Sequence, residues 1–384
     1  MSKRNQEIFK FIRSQYPQKS VIALHEPVFA GKEKEYVDEC IRSTMVSSVG
    51  EFVNRFEKMV AHEMGCKFAV VTSSGTTALQ LALQLVGVGP DDLVLTQALT
   101  FVATANAISH CGAQPVLLDV DAKTMGLDPN EVRNFLEKEC TQSSQGIKHK
   151  ASGRSVKACV PVHMLGHPTK IVELKQVCAE FNLPIVEDAA EALGSFVNGQ
   201  ACGSFGDLGV MSFNGNKIVT TGGGGAIVTN NEELAVRAKH LSTTAKVPHA
   251  WEYFHDQVAY NYRMPNLNAA LGCAQLEQLP QFLKDKRELA HSYQKFFNEL
   301  DIPFLVEAGG TKANYWLNAI YLEGAEARDQ FLKEAVAEKI YARPLWHLMS
   351  ELPMYKTAIR GQLKVATNLR EQVVCLPSGV RSVK

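Results

Sequence analysis

The segment SFNGNKIVTTGGGGAIVT (212–229) places one lysine, Lys217, between two short apolar runs and just before four consecutive glycines. The flanking runs LGVMSF (208–213) and GAIVT (225–229) have the length and composition of buried strands. Glycines allow a backbone to pass close to a bulky group. Because these four glycines lead into a strand instead of a helix, they do not form the GxGxxG turn of a dinucleotide site.

Short apolar runs of the same kind precede this segment, separated by helix-like stretches. They are FAVVT (68–72), DLVLT (92–96), PVLLDV (115–120), ACVPVH (158–163) and LPIVED (183–188). Alternation of strands and helices is typical of a parallel sheet covered by helices. The sequence therefore predicts an α/β fold with a mostly parallel sheet of seven strands.

The pattern changes after about residue 250. A long helical stretch, LNAALGCAQLEQLPQFLKDKRELAHSYQKFF, is followed by the strand-like WLNAIYL and the helix-like AEARDQFLKEAVAE. We expect a large α/β domain over residues 1–245, which includes an N-terminal helical segment, and a smaller α+β domain over residues 246–384.

Composition limits the classes of partner. Lys and Arg together number 40, as do Asp and Glu, so bulk charge favours neither nucleic acid nor a membrane surface. No run approaches the ~20 apolar residues of a membrane span, and the charged N-terminal stretch lacks the centre of a secretory signal, so we expect a cytoplasmic protein. The nine cysteines show neither disulfide nor metal-site spacing, and we predict no metal.

Acidic residues follow one predicted strand. Asp188 ends LPIVED, at the edge of the sheet where α/β proteins place ligand contacts. Such a residue is also typical of a helix N-cap. A carboxylate here can instead keep a pyridine nitrogen protonated, so that the ring accepts electrons. Glu191, three residues later, can cap the same helix or face such a ring.

A candidate phosphate site lies in FAVVTSSGTTALQLAL (68–83), which reads as strand, turn and helix. The free backbone N–H groups of a first helical turn bind phosphate well, which makes Ser74, Gly75 and Thr76 a candidate cradle. The same pattern also occurs in ordinary helix capping. Ser212 offers a further hydroxyl group.

These motifs together resemble one family, the DegT/StrS-type (DegT/DnrJ/EryC/StrS) sugar aminotransferases. The resemblance extends from LHEPVFAGKE near residue 24 to VVCLPSG near residue 378, and the matching segments occur in a fixed order. They are SGTTAL, TFVATANAI, HMLGHP, VEDAAEALGS, SFNGNKIVTTGGGGAIV and YNYRMPNLNAALGCAQL. The resemblance implies pyridoxal 5′-phosphate (PLP) as cofactor and the aspartate aminotransferase-like fold type I of PLP enzymes.

The resemblance also implies residue roles. Lys217 would bind PLP covalently as a Schiff base, and Asp188 would face the ring nitrogen. The remaining cofactor contacts would be Ser74, Gly75, Thr76 and Ser212 at the phosphate, Phe101 stacked on the ring, Glu191 beside it, and Asn261 reaching the phosphate from the partner subunit of a homodimer with shared active sites. Glu191 departs from the Gln that is commoner in the family.

The segment TMVSSVGEFVNRFE (44–57), taken with the lysine segment, most resembles the LegC-like and UDP-N-acetylbacillosamine-type enzymes. This resemblance implies ping-pong transfer of an amino group from L-glutamate to the C4 ketone of a UDP-linked 4-keto-6-deoxy-N-acetylhexosamine, in bacterial surface-sugar biosynthesis. Lys217 excludes the family branch that carries histidine at this position and performs dehydration.

Candidate substrate contacts are spread along the chain. Ser47 and Ser48 lie in a loop that such enzymes use near the sugar, and the two serines are equally typical of a turn. Arg263 and His347 are candidate partners of the nucleotide pyrophosphate, and each is equally typical of an interface or packing residue. His163, in HMLGHP, is a candidate contact that can also simply shape the pocket.

The sequence is also compatible with other functions. Within the family these are an enzyme acting at C3, or on a dTDP- or GDP-linked sugar. A PLP enzyme acting on amino acids alone would bind the substrate carboxylate through an arginine such as Arg343. A non-catalytic regulatory protein on the same fold is the alternative from another class.

Overall fold

The computed structural model describes residues 2–144 and 146–381. Within these residues the chain forms twelve α-helices. They are α1 Lys3–Gln15, α2 Glu33–Arg42, α3 Glu51–Glu63, α4 Gly75–Leu85, α5 Val102–His110, α6 Pro129–Glu139, α7 Ile171–Glu180, α8 Glu232–Ser242, α9 Asn266–Glu277, α10 Leu279–Glu299, α11 Ala325–Ala337 and α12 Lys364–Gln372.

Fifteen strands accompany these helices in the same described ranges. They are β1 Phe68–Thr72, β2 Leu93–Gln97, β3 Gln114–Leu118, β4 Cys140–Ser143, β5 Gly146–His149, β6 Ser155–Val160, β7 Val186–Asp188, β8 Phe196–Val197, β9 Gln200–Ala201, β10 Leu208–Ser212, β11 Gly225–Thr229, β12 Thr311–Lys312, β13 Asn318–Tyr321, β14 Arg343–Pro344 and β15 Val373–Leu376.

The central sheet has the order β3-β2-β6-β7-β10-β11-β1. Its two halves meet through parallel bridges between Cys159 and Ile185 and between Val162 and Asp188. Neighbouring strands are parallel except at β11, which runs antiparallel to both β10 and β1. All seven strands occur at the segments named from the sequence, which confirms the predicted mostly parallel, seven-stranded sheet.

Helices cover both faces of the sheet, which explains why its strands are apolar on both sides. On one face, Leu79 of α4 and Ile108 of α5 share a buried cluster with Val94 of β2. On the other face, Phe56 of α3 and Leu174 of α7 belong to a second buried cluster. The carboxyl ends of the parallel strands stay free for ligand contacts.

The C-terminal residues add a small antiparallel sheet of order β13-β15-β14. Helix α1 packs here: Phe9 lies 5.1 Å from Phe331 of α11 between ring centres, and Ile12 belongs to the same buried cluster as Tyr293 of α10. The sequence assigned this N-terminal segment to the large domain, whereas its apolar contacts are with the C-terminal unit. The long predicted helix is two helices that meet at Gln278.

No helix in residues 2–144 or 146–381 is both long enough and apolar enough to cross a membrane.

Candidate active site

A cavity of about 290 Å³ lies at the carboxyl ends of β7 and β10. The starts of α4 and α5 and the loop between β10 and β11 complete its wall. Eight residues that the sequence singled out line this one cavity: Ser74, Gly75, Thr76, Phe101, Asp188, Glu191, Ser212 and Lys217. The fold therefore brings together side chains from four separate sequence segments.

Lys217 lies in the loop that joins β10 to β11, and 13% of its side chain is exposed. Its Nζ lies 3.6 Å from Oε1 of Glu191 and 3.9 Å from the centre of the Trp316 ring. A carboxylate and the face of an indole both attract a cation. The Trp316 indole N–H donates to the backbone oxygen of Asn216 at 2.8 Å, which fixes the ring beside the lysine.

Asp188 is the last residue of β7 and is 6% exposed. The Thr104 hydroxyl of α5 donates to its Oδ2 at 2.8 Å, and the Ala190 N–H donates to its Oδ1 at 3.2 Å. Burial raises the pKa of Asp188, while these two hydrogen bonds and the nearby Lys217 ammonium oppose that rise. Residues 189–195, directly after Asp188, form turns and irregular structure instead of an α-helix, so the N-cap alternative does not apply.

Glu191 faces the cavity instead of capping a helix. Its Oε2 accepts a hydrogen bond from the Leu165 N–H at 2.8 Å. Burial raises the pKa of Glu191 to about 7, and the Lys217 ammonium opposes this effect. Leu165 has φ 56°, a backbone conformation that non-glycine residues rarely adopt. A strained residue that directs an N–H at a buried acid is typical of a functional site.

The start of α4 contains the three residues that were predicted to form a phosphate cradle. Ser74 is the N-cap, and its hydroxyl accepts from the Thr77 N–H at 3.1 Å. The N–H groups of Gly75 and Thr76, in the first turn, have no intrahelical acceptor. A Cβ at Gly75 would lie 2.9 Å from Cβ of Ser212, so only glycine lets the helix approach β10 this closely. These features suit an anion at the helix start.

Phe101 is the N-cap residue of α5 and is 49% exposed, with its ring beside the cavity. The ring centre lies 5.8 Å from that of Trp346. An apolar ring exposed at a cavity wall is available to stack on a planar ligand, which a core phenylalanine is not.

Some predicted contacts lie outside the cavity. Asn261 is exposed and its Oδ1 accepts from Nε of Arg263 at 2.9 Å. Ser47 is exposed and Ser48 half-buried in the loop between α2 and α3.

The two predicted histidines occupy different environments. His163 is fully buried, with Nε2 2.9 Å from Oε2 of Glu187, while its Nδ1 accepts from the Thr169 N–H at 3.2 Å. Both of its ring nitrogens are therefore engaged away from the cavity. His347 lines an adjoining cavity and lies 3.1 Å from Oε2 of Glu351.

Sequence reasoning missed four residues that shape the site: Thr104, Leu165, Trp316 and Trp346. Thr104 occurs in the quoted segment TFVATANAI, but nothing local indicates that its hydroxyl meets Asp188. Trp316 was assigned only to a strand-like run, although a tryptophan at the edge of such a run is a reasonable candidate for a pocket wall.

The sequence is similar to one protein family and to individual known proteins. The model of the DegT/DnrJ/EryC1/StrS aminotransferase family matches residues 28–382. The putative pyridoxal phosphate-dependent aminotransferase EpsN of Bacillus subtilis (strain 168) is 35% identical, over 93% of this chain and 91% of that protein. GDP-perosamine synthase of Escherichia coli O157:H7 is 36% identical, over 93% of each chain.

The fold has counterparts among solved structures. The aminotransferase TlmJ from Streptoalloteichus hindustanus superposes with a TM-score of 0.85, at 29% identity over 95% of each chain. This similarity confirms the predicted aspartate aminotransferase-like fold.

Proposed function

The chain belongs to the DegT/DnrJ/EryC1/StrS family of PLP-dependent aminotransferases, and we propose that it transfers the amino group of L-glutamate to the C4 ketone of a UDP-linked 4-keto-6-deoxy-N-acetylhexosamine. The observation that carries the proposal is the single cavity that holds Lys217, Asp188 and the free N–H groups of α4. A lysine amine, a buried acid and an anion cradle are the groups that PLP requires.

The cavity residues fit this cofactor. The N–H groups of Gly75 and Thr76 and the Ser212 hydroxyl would hold its phosphate, since a helix start attracts a dianion. Asp188 would hold the proton on the ring nitrogen, and Phe101 would cover one face of the ring. A Cβ at Gly225 would lie 2.4 Å from the Ser74 oxygen, so glycine is also required on the β11 side of the cradle. When bound, PLP supplies an aldehyde that accepts an amine and a ring that withdraws electrons from the adjacent carbon.

Lys217 has the central role in proton transfer. Its Nζ is the one amine among the described residues that line the cavity, and it would carry a proton to and from the reacting carbon of each substrate. Glu191 lies close enough to hold the ammonium form in place. Because the donor would leave its amino group on the cofactor before the acceptor binds, we expect ping-pong kinetics.

The choice of acceptor rests on similarity. GDP-perosamine synthase, at 36% identity, is by its name a nucleotide-sugar enzyme, which supports a sugar ketone over an amino acid alone. The UDP and N-acetyl groups rest on the resemblance of residues 44–57. A GDP-linked keto sugar is the second candidate, because the same relative favours it, and a dTDP-linked sugar or amination at C3 is a variant of this alternative.

We also propose that the protein is a homodimer with shared active sites. Asn261 is exposed and does not line the cavity of its own chain, which agrees with a role at the partner's PLP phosphate. Ser47, Ser48 and Arg263 stay predicted contacts of the nucleotide sugar. His163 and His347 stay predictions too; the buried hydrogen bonds of His163 favour shaping the pocket over touching substrate.

The proposal is tested by offering the purified enzyme PLP, L-glutamate and each of the UDP-, GDP- and dTDP-linked 4-keto-6-deoxy sugars. We expect 2-oxoglutarate and an amino sugar, identified by mass spectrometry, with the highest kcat/KM for the UDP-N-acetyl sugar. A Lys217→Ala variant should form neither product. Turnover by that variant, or a preference for GDP- or dTDP-linked sugar, would contradict the corresponding part of the proposal.

A further inference from the structure

A second cavity of about 620 Å³ adjoins the one that contains Lys217. The two cavities share Asn216, Trp316 and Trp346 as a common wall. Three arginines line the second cavity and none lines the first: Arg328, Arg343 and Arg370. We call this space the arginine cavity.

Two of the three guanidinium groups already have carboxylate partners. Arg328 donates from Nε to Oδ1 of Asp329 at 2.8 Å. Nε of Arg370 lies 3.2 Å from Oε2 of Glu351. These two charges are therefore compensated within the chain.

Arg343 differs from its neighbours. Its backbone is fixed because β14 pairs with β15, where Arg343 lies opposite Cys375. Its guanidinium lies 5.8 Å from the centre of the Tyr341 ring and makes neither an ion pair nor a hydrogen bond with any residue that the structure describes. The arginine cavity is therefore lined by one solvent-exposed guanidinium that has no partner among the described residues, on the two-residue strand β14.

A carboxylate on the amino donor would pair with the positive charge of Arg343. The donor's nitrogen must react in the first cavity, where Lys217 is the one cationic side chain among the described lining residues. In L-glutamate the side-chain carboxylate lies three carbon–carbon bonds from the reacting carbon. A side-chain carboxylate placed in the adjoining arginine cavity would form two parallel hydrogen bonds with a guanidinium there.

The charge balance favours a carboxylate over a diphosphate. One unpaired guanidinium matches one carboxylate, whereas a diphosphate carries at least two negative charges and draws on several cations. Because the donor and the sugar bind in turn, the large volume of the arginine cavity also leaves room for part of the sugar nucleotide after the donor has left.

We propose that the arginine cavity binds the side-chain carboxylate of a dicarboxylic amino donor and that Arg343 sets the donor specificity. This inference rests on the proposed function, because it requires a donor that reacts at Lys217.

The test uses the two half-reactions of the PLP-loaded enzyme, followed separately by absorbance. The donor half-reaction is measured with L-glutamate and with L-glutamine, which has the same shape but no side-chain charge. We expect the unaltered enzyme to favour glutamate by about 10- to 100-fold in kcat/KM, as for loss of a charge-assisted pair. Arg343→Gln should remove most of this preference by slowing glutamate, and Arg343→Lys should keep part of it.

The matched control is Arg237→Gln, which changes an exposed arginine of α8 outside both cavities. It should keep the glutamate preference. An Arg343→Gln enzyme with the preference intact would overturn the inference. So would a loss confined to the keto-sugar half-reaction, which would assign the guanidinium to the diphosphate. If the unaltered enzyme reacts with no amino acid at all, the proposed function itself fails, and that result is distinct from either outcome for Arg343.

Discussion

Oε1 of Glu191 lies 3.6 Å from Nζ of Lys217, inside a cavity where the acid is 6% exposed. The pair joins two segments that the sequence separates by 26 positions, one after β7 and one after β10. Because the acid is held by the Leu165 N–H, it cannot move away from the amine without losing that bond. A change in the protonation of Glu191 therefore changes the charge next to Lys217.

Glu191 should make the stability of the PLP-free protein depend on pH. Its pKa is about 7 in the fold and about 4.3 in an unfolded chain. Between these values the folded protein binds the additional proton, so the stability that this acid contributes is present below about pH 4 and is lost as pH rises through 7, at up to ~1.4 kcal/mol per unit. Denaturant unfolding at several pH values should show this slope, reduced in Glu191→Gln and kept in Glu173→Gln, an exposed control. Equal slopes in all three proteins would refute the assignment.

The hydrogen bond from Thr104 should tune Asp188. Thr104→Val removes the donor 2.8 Å from Oδ2 with little change of shape, and the pKa of Asp188 should rise further. A carboxyl with a higher pKa holds a neighbouring cation less well, so we expect kcat to fall by about 10- to 100-fold. Steady-state kinetics checks this, and Thr104→Ser, which keeps the hydroxyl, should recover most of the loss. Full activity in Thr104→Val would show that the bond is dispensable.

The cradle should be sensitive to a single methyl group. In Gly75→Ala the new Cβ would lie 2.9 Å from Cβ of Ser212, so the start of α4 must shift away from β10. We expect the Kd for PLP, measured by absorbance titration, to increase by at least about tenfold, as for loss of one charge-assisted hydrogen bond. Gly309→Ala is the control, since nothing lies within 4 Å of its added Cβ. Unchanged affinity in Gly75→Ala would place the phosphate elsewhere.

Lys286 should stabilise the backbone of the segments that contain Trp316 and Ser378. This lysine of α10 is fully buried, and its Nζ donates to the backbone oxygens of Trp316 at 3.1 Å and Ser378 at 2.5 Å. Lys286→Met leaves both oxygens without a donor, and we expect the free energy of unfolding to fall by about 2–5 kcal/mol. Urea unfolding measures the change, with the exposed Lys295→Met of the same helix as control. Equal losses in both variants would show that the buried hydrogen bonds contribute nothing.

The sequence predicted those features of the fold that depend on residues adjacent in the chain. The seven strands are short apolar runs, and Asp188 and Ser74 occupy strand and helix ends, where the neighbouring sequence is typical of both capping and ligand contact. The roles of these two residues, and those of Gly75 and Lys217, came from the family resemblance and stay predictions. These residues depend on their immediate neighbours along the chain.

The remaining features depend on partners far along the chain. Trp316 meets Lys217 only because the C-terminal unit packs over the sheet, and α1 joins that unit through contacts with Phe331 and Tyr293. The positive φ of Leu165 cannot be predicted from the sequence either, because leucine rarely adopts a left-handed conformation. Long-range packing of this kind is not encoded in the periodicity of any one segment.

Lys217 is proposed to form the covalent bond to PLP. Borohydride reduction of the PLP-loaded enzyme, followed by peptide mapping, tests it most directly, with Lys217→Ala as control. We predict that the reduced cofactor remains on the peptide that contains Lys217 and is absent from the variant. A label on another lysine, or on none, would rule out Lys217 as the residue that binds PLP.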